Sequence, residues 1–484
     1  MVKKLGFVFL AVVLLLGAVA VFRTLTLPTV GGGTASLAQV DDTMAARAAK
    51  HLGDAIKIET ISWGDERSSR DAFVEFHDFL SSTYPASHQV MERTIINGQS
   101  LIYRWPGLDS AKAPVGLAAH IDVVPVETGT IDEWQAPPFS GAVKDGKVFG
   151  RGALDDKGAI IGYFEAVERL LADGFTPSRD VYFLFGHDEE IGGGSGAGAI
   201  VAHFQGKNIQ FEWILDEGSA PVKGIIDGFD GIAALISLGE KGSTTLELTA
   251  TAAGGHSATP ARDTAASIVA RAVTKIADNP HKAEIDETTA AFLRALAPEF
   301  ELAQRFALAN LWLTGRVVRG KLEEDPVTAA TMRTTTAVTI IQSGTKVNIL
   351  PQKARAIVNY RIHPRDTPES VRARAERLID DDRVAIRVAG ARPASAMSSA
   401  EAAGYEDISA AIRAAFGDII IAPSVTLQGT DQRHYAKIAN DAYRFMPFVI
   451  EPDDLKRIHG TDEYISIENL GRGVLFFEAL LAAQ

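Results

Sequence analysis

Residues 150–190, GRGALDDKGAIIGYFEAVERLLADGFTPSRDVYFLFGHDEE, decide the fold. A glycine-rich turn presents two adjacent carboxylates, Asp155 and Asp156. Ile160, Ile161, Phe164, Val167, Leu170 and Leu171 then recur at helical spacing and predict a helix over 158–173. The apolar run 181–185 predicts a buried strand, and it empties into Asp188, Glu189 and Glu190. Helix followed by buried strand is the grammar of an α/β sheet covered by helices. Working outward, 115–119 reads as a strand running into His120 and Asp122, and 211–215 as a strand ending at Asp216. Three polar groups therefore fall just past three strand ends, where open α/β sheets place their sites.

Beyond residue 242 the pattern changes. Strand 243–251, helix 263–277, strands near 337–342 and 353–362, helix 368–380 and strand 384–388 follow in β-α-β-β-α-β order. That order predicts a ferredoxin-like unit, residues 242–390, inserted into a larger unit made of 41–241 and 391–484. An apolar helical stretch, 290–313, lies between the two halves of the insert and is expected to belong to it. The chain's 484 residues agree with more than one core.

A formal charge of -13 argues against binding to phosphate backbones, so no nucleic-acid partner is expected. There is no cysteine. Disulfides and thiolate ligands are thereby excluded, and any metal must be held by nitrogen and oxygen.

Residues 5–22 are almost unbroken apolar sequence behind Lys3 and Lys4, close to the roughly 20 residues that span a bilayer. Residues 1–23 read as an anchor or signal segment and 24–40, rich in Gly, Thr and Ala, as a tether. Lysines ahead of the run keep the N-terminus in the cytoplasm and export the rest, to a periplasmic or extracellular location. A cleaved signal ending at Ser36-Leu-Ala38 is the competing reading and would give a secreted protein. The apolar run exceeds the usual h-region of about 7–15 residues, which favours the anchor.

The motifs supply two imidazoles and several carboxylates, a mixture suited to a pair of divalent ions. Asp122 can orient the His120 imidazole. Adjacent carboxylates such as Asp155 and Asp156 repel each other at a buried turn unless a cation neutralises them, although an Asp at a helix start can also simply cap it. Asp155 is read as bridging two ions, which dinuclear hydrolytic sites hold about 3.5–4 Å apart. Consecutive side chains project differently, so Glu190 is assigned as ligand and Glu189 as general base toward water. Asp216 and His459 complete two ligand sets that share Asp155. His363 and His434 are rival histidines with structural roles expected.

With these residues in hand, the chain resembles peptidase family M20, the dinuclear zinc amidohydrolases that include aminoacylases and carboxypeptidases, and especially its carboxypeptidase S branch. The resemblance runs from about Asp41 to Ala483. It is carried by Gly150–Gly158, Gly254-Gly-His-Ser-Ala-Thr-Pro260, Arg333-Thr-Thr-Thr336, Asn359-Tyr-Arg-Ile-His-Pro364 and Lys456-Arg-Ile-His-Gly460. It implies a mixed-sheet zinc-exopeptidase catalytic domain with an inserted ferredoxin-like α+β lid. It also implies two Zn2+ per subunit, with Co2+ or Mn2+ as substitutes: one held by His120, Asp155 and Asp216, the other by Asp155, Glu190 and His459.

The resemblance further implies His256 as an oxyanion stabiliser acting across a homodimer built through the lid. Asn348, Arg361, Gly429 and Thr430 become substrate contacts, Arg361 pairing with a free carboxylate. Gln428 departs from members that have a second glycine there. The expected activity is cleavage of an amide beside a free carboxylate, in a peptide or an N-acyl-amino acid. A short-chain deacylase or dipeptidase, and a non-catalytic surface receptor, are the alternatives.

Overall fold

The computed structural model describes residues 2–27, 37–64 and 70–484. Ser36 of the candidate cleavage site and most of the expected tether fall on 28–36, outside the described residues. A nine-stranded mixed sheet forms the larger unit. Its strands run in the order Glu92–Ile96, Ser100–Trp105, Val181–Gly186, Val115–His120, Phe211–Asp216, Ala439–Arg444, Ile232–Glu240 and Ile420–Thr426, with Pro221–Lys223 paired to Ile232–Glu240. Val115–His120 is parallel to both Val181–Gly186 and Phe211–Asp216. All three therefore end at the same edge, and their terminal residues meet there.

The central strands are buried along their whole length, as a sheet covered on both faces requires. Helices Asp42–Ile56, Lys157–Ala172 and Ile467–Ala482 cover one face. Helix Ala197–Gly206 covers the other, with Ile200, Val201 and Phe204 in a smaller core. The predicted stripe of Lys157–Ala172 is inside: Ile160, Ile161, Phe164 and Val167 are each at most 2% exposed. Each such side chain contributes about 1.5–3 kcal/mol of burial free energy.

The insert is a four-stranded antiparallel sheet in the order Thr335–Ser343, Lys353–Ile362, Gly242–Thr251, Val384–Arg392. Helices Ala265–Ala277 and Pro368–Ile379 pack on it around Leu246, Leu248, Ile268, Val358 and Val371. Both open with a Thr whose hydroxyl caps the helix and a Ser three residues later that bonds back, so Thr264 and Thr367 fix where they start. This is the β-α-β-β-α-β arrangement expected of the insert.

The apolar stretch 290–313 departs from expectation. It is divided among the helices Glu287–Leu296, Leu302–Ala309 and Leu311–Leu322 with a short turn of helix at Ala297–Glu299. Leu296, Phe292 and Phe300 pack on Val222, Ala233 and Ile420 at the edge of the nine-stranded sheet, not on the insert's core. Leu302–Ala309 instead meets the N-terminal helix Val2–Leu25. Asn310 separates the last two pieces, and a helical pattern alone does not reveal which neighbour each piece will find.

Candidate metal centre

Asp155 stands between two imidazoles. Its Oδ1 lies 2.9 Å from His120 Nε2 and its Oδ2 lies 3.1 Å from His459 Nε2. His459 Nε2 is also 3.2 Å from Glu190 Oε2. His120 Nδ1 donates to the backbone carbonyl of Asp122 at 2.9 Å, which turns Nε2 toward the cluster. Asp122 thus orients the ring chiefly through its carbonyl. Its carboxylate, 3.4 Å from His120 Nδ1, accepts the N–H of Glu189 and of Glu190, each at 3.1 Å, and so fixes the turn carrying both glutamates.

Among the described residues, two triads of donor atoms lie close enough together to hold a cation: His120, Asp155 and Glu190, and His120, Glu189 and Glu217. Glu217 is the residue that sequence reasoning passed over. Its Oε1 is 3.7 Å from His120 Nε2, whereas its neighbour Asp216 belongs to neither triad. Both follow the same strand, and only the placed side chains separate them. Asp216 is buried, with Oδ2 lacking a hydrogen-bond partner.

The cluster has the electrostatics of a cation site. Burial pushes Glu189 up to about 8, with Glu190, Asp122 and Asp155 adding to the shift and His120 opposing it. Burial likewise raises Asp216 to about 6, and raises Glu217 well above the carboxylate range with help from Asp155. His459 is held up at about 10 by hydrogen bonds to Asp155 and Glu190. Protons here serve as counter-charge for crowded carboxylates, a part divalent cations fill better. Buried Glu190 Oε1, Asp216 Oδ2 and Asp156 Oδ1 have no hydrogen-bond partner, and the donors are all nitrogen and oxygen. The residues fit a divalent-metal centre.

Asp156 does not cap the helix it precedes. No side-chain cap bond is present, and Oδ2 instead accepts the His120 N–H at 3.3 Å. The peptide bond between Asp155 and Asp156 is cis. Lys157, fully buried, donates to the carbonyls of Ala55 and Ile58 at 3.0 and 2.6 Å, and burial pushes its ammonium down to about 7.

The chain's end supplies the second histidine. Glu463 Oε1 accepts the N–H groups of Gly152, Leu154 and Asp155 at 2.9–3.2 Å, while Oε2 pairs with Arg151 at 2.6 Å. Arg151 also donates to the Gly460 carbonyl at 2.8 Å. This pair straps the His459 loop to the Asp155 turn. A Cβ at Gly460 would come within 2.0 Å of the Lys456 carbonyl oxygen, so the turn that presents His459 requires glycine there.

The remaining expected residues are more dispersed. His256 is exposed in the insert, where Nδ1 accepts the Ala258 N–H at 3.1 Å; Asn348 and Arg361 are also exposed. Among the described residues no hydrogen bond or ion pair ties these three to the cluster. Thr430 donates its N–H and hydroxyl to Glu240 Oε2 at 3.1 and 3.0 Å, which holds the loop in place. Gly429 lets Arg392 approach: a Cβ would lie 1.8 Å from its Nη1. His434 bonds to the Gly192 carbonyl, and His363, pushed down to about 4 by burial and Arg365, donates its backbone N–H to the Thr334 hydroxyl oxygen. Both have structural partners.

Two arginines that sequence reasoning did not single out face the general-base candidate. Arg433 Nη1 is 3.9 Å from Glu189 Oε1. Arg392 is shifted down chiefly by burial, with Arg433 and Arg361 adding and Glu240 and Glu189 opposing.

The model of peptidase family M20/M25/M40 matches residues 116–483. The chain belongs to that family. It is 39% identical to the probable carboxypeptidase S-like 2 of Dictyostelium discoideum over 90% of this chain and 84% of that protein. It is 35% identical to the N-fatty-acyl-amino acid synthase/hydrolase of Xenopus tropicalis over 98% of this chain and 93% of that one. In fold it resembles the M20 family metallo-carboxypeptidase Sso-CP2 from Sulfolobus solfataricus, with TM-score 0.62 at 17% identity over 90% and 98% of the two chains. Human carnosine dipeptidase 1 matches with TM-score 0.60 at 16% identity over 92% and 98%. As a family member the protein is a metal-dependent hydrolase.

Proposed function

We propose that the protein is a dinuclear-zinc amidohydrolase that cleaves an amide beside a free carboxylate, in a C-terminal peptide bond or an N-acyl-amino acid. The observation that carries this reading is the division of Asp155 between His120 and His459. A carboxylate with one oxygen toward each imidazole is placed to join two ligand sets. His120 with Glu217 or Asp216 would hold one cation, and Glu190 with His459 the other. When bound, the pair supplies Lewis acidity toward the scissile carbonyl and acidifies a water.

The chain's own residues do the rest. Glu189 takes the water's proton at its carboxylate and returns it to the leaving amine. Asp122 fixes the Glu189 backbone, so the base cannot drift from the cluster. Arg433, 3.9 Å from Glu189, brings positive charge beside the base, and together with Arg392 and Arg361 it is assigned to a substrate carboxylate. His256 is assigned to the oxyanion from a second subunit. The insert's edge strand Thr335–Ser343, with Ile341 exposed, supports a homodimer through the insert.

The N-terminal helix contains a span, Phe7–Leu25, long and apolar enough to cross a bilayer. We read it as an anchor with the catalytic part exported.

The relatives' names support both substrate classes: probable carboxypeptidase S-like 2 on one side and N-fatty-acyl-amino acid synthase/hydrolase on the other. Incubating the full chain with dipeptides and long-chain N-acyl-amino acids, with and without chelator, tests the reading. Chelator-sensitive release of an amino acid with a free carboxylate supports it. Binding without turnover in the metal-loaded protein would make it a receptor.

A further inference from the structure

The N-terminal helix is not free of the folded part. Asn310 Nδ2 donates to the Ala20 carbonyl and the Thr24 hydroxyl oxygen, both at 3.1 Å, and the Thr24 hydroxyl donates to the same carbonyl at 2.8 Å. These polar groups are buried from solvent, Asn310 completely, so the contact is specific. It also sets a depth. Ala20 lies five residues before the end of the apolar span at Leu25, which is about 7 Å along a helix at 1.5 Å per residue.

Whatever is fixed to Ala20 therefore sits about one and a half turns inside the apolar zone if the span crosses a bilayer. What is fixed there is the junction of helices Leu302–Ala309 and Leu311–Leu322. Their surface suits that position. Leu302, Leu313 and Val317 are 64%, 58% and 77% exposed, and Leu313 and Val317, four apart, share one helix face. Trp312, half exposed, is of the type enriched at membrane interfaces.

Charge points the same way. Residues 302–322 contain Arg305, Arg316, Arg319 and Lys321 and no acidic residue, the acids Glu299, Glu301, Glu323, Glu324 and Asp325 flanking them and Lys321 pairing with Glu324 at 2.6 Å. Arg23 and Arg294 line a groove of about 500 Å³ between the N-terminal helix and this pair, together with Leu308, Leu311 and Trp312. Apolar side chains beside a basic rim are the make-up of a helix that lies in the headgroup layer, where such helices sink about 5–10 Å.

We propose that helices Leu302–Ala309 and Leu311–Leu322 form a second membrane contact, lying in the leaflet on the catalytic side with their basic residues at anionic headgroups. This rests on the anchor reading of the N-terminal helix. The enzyme would then be seated on the bilayer at two points, with its orientation fixed.

The absence of cysteine allows a direct test with single spin labels. Full-length Leu14→Cys, Val317→Cys and Leu108→Cys proteins are labelled and reconstituted into phosphatidylcholine–phosphatidylglycerol vesicles. Collisions with oxygen, which favours lipid, are compared with those with a water-soluble nickel chelate. Leu108 is an exposed residue on the larger unit and reports water. The expected result is a Val317 label with an oxygen-to-nickel ratio severalfold above that of Leu108 and close to that of Leu14. Asn310→Ala should move the Val317 label toward water while turnover of a short soluble substrate persists.

A Val317 label as nickel-accessible as Leu108, with Leu14 still in lipid, overturns the second contact and leaves the anchor standing. A Leu14 label in water, or an intact mass lacking the N-terminal segment, overturns both. Dipolar broadening between Val317 labels would assign the face to a second copy of the chain and overturn the lipid contact.

Discussion

The two histidines of the cluster differ in how they are held. His120 ends a central strand, is 1% exposed, and has its ring turned by the carbonyl of Asp122. His459 rides a loop, its side chain 53% exposed, and depends on the Glu463–Arg151 strap. One half of the centre is built by the sheet and is rigid from the start. The other is assembled by a loop, so on the two-metal reading proposed above its metal should be the one that exchanges.

Asp155→Asn attacks both halves. Metal content should fall below one equivalent, with turnover down by at least about a thousandfold, read by elemental analysis and amide hydrolysis. Near wild-type metal content with turnover intact would remove the bridging role. Glu189→Gln should leave both metals in place and lower kcat about 10²–10⁴-fold, the range of a lost general base. Substantial residual kcat would move the base elsewhere.

Glu463→Gln sharpens the contrast between halves. It should weaken metal binding about 10–100-fold on the His459 side alone, leaving close to one tightly held equivalent in a competition titration. Equal loss of both would make the two halves one unit. Glu217→Gln compared with Asp216→Asn decides the rigid half's third ligand: the larger loss of affinity should fall on Glu217. Arg433→Ala has the smallest effect, a KM rise of about tenfold for substrates with a free carboxylate, corresponding to about 1.4 kcal/mol. The amidated substrate should show no comparable change.

The strand-end residues could be read in the sequence because each follows an unmistakable buried run: Val115–His120, Val181–Gly186 and Phe211–Asp216. Helix Lys157–Ala172 showed itself through its apolar spacing. Glu217 escaped because two adjacent acids after one strand look alike until their directions are known. Arg433 and Arg392 escaped because they meet Glu189 only through tertiary packing. The stretch 290–313 misled for a related reason: apolar spacing shows that a helix is covered, not by what. Within 306–313 Asn310 is the one polar side chain, set among Leu308, Leu311 and Leu313, and it marks a specific partner.

The strap through Glu463 joins backbone N–H groups more than 300 positions earlier in the chain, 308 in the case of Asp155. Anything delivered across a membrane from its N-terminus would expose the first half of such a centre long before the second. On the reading proposed above, the cluster lacks one imidazole and its strap until residues 459–463 have emerged and folded.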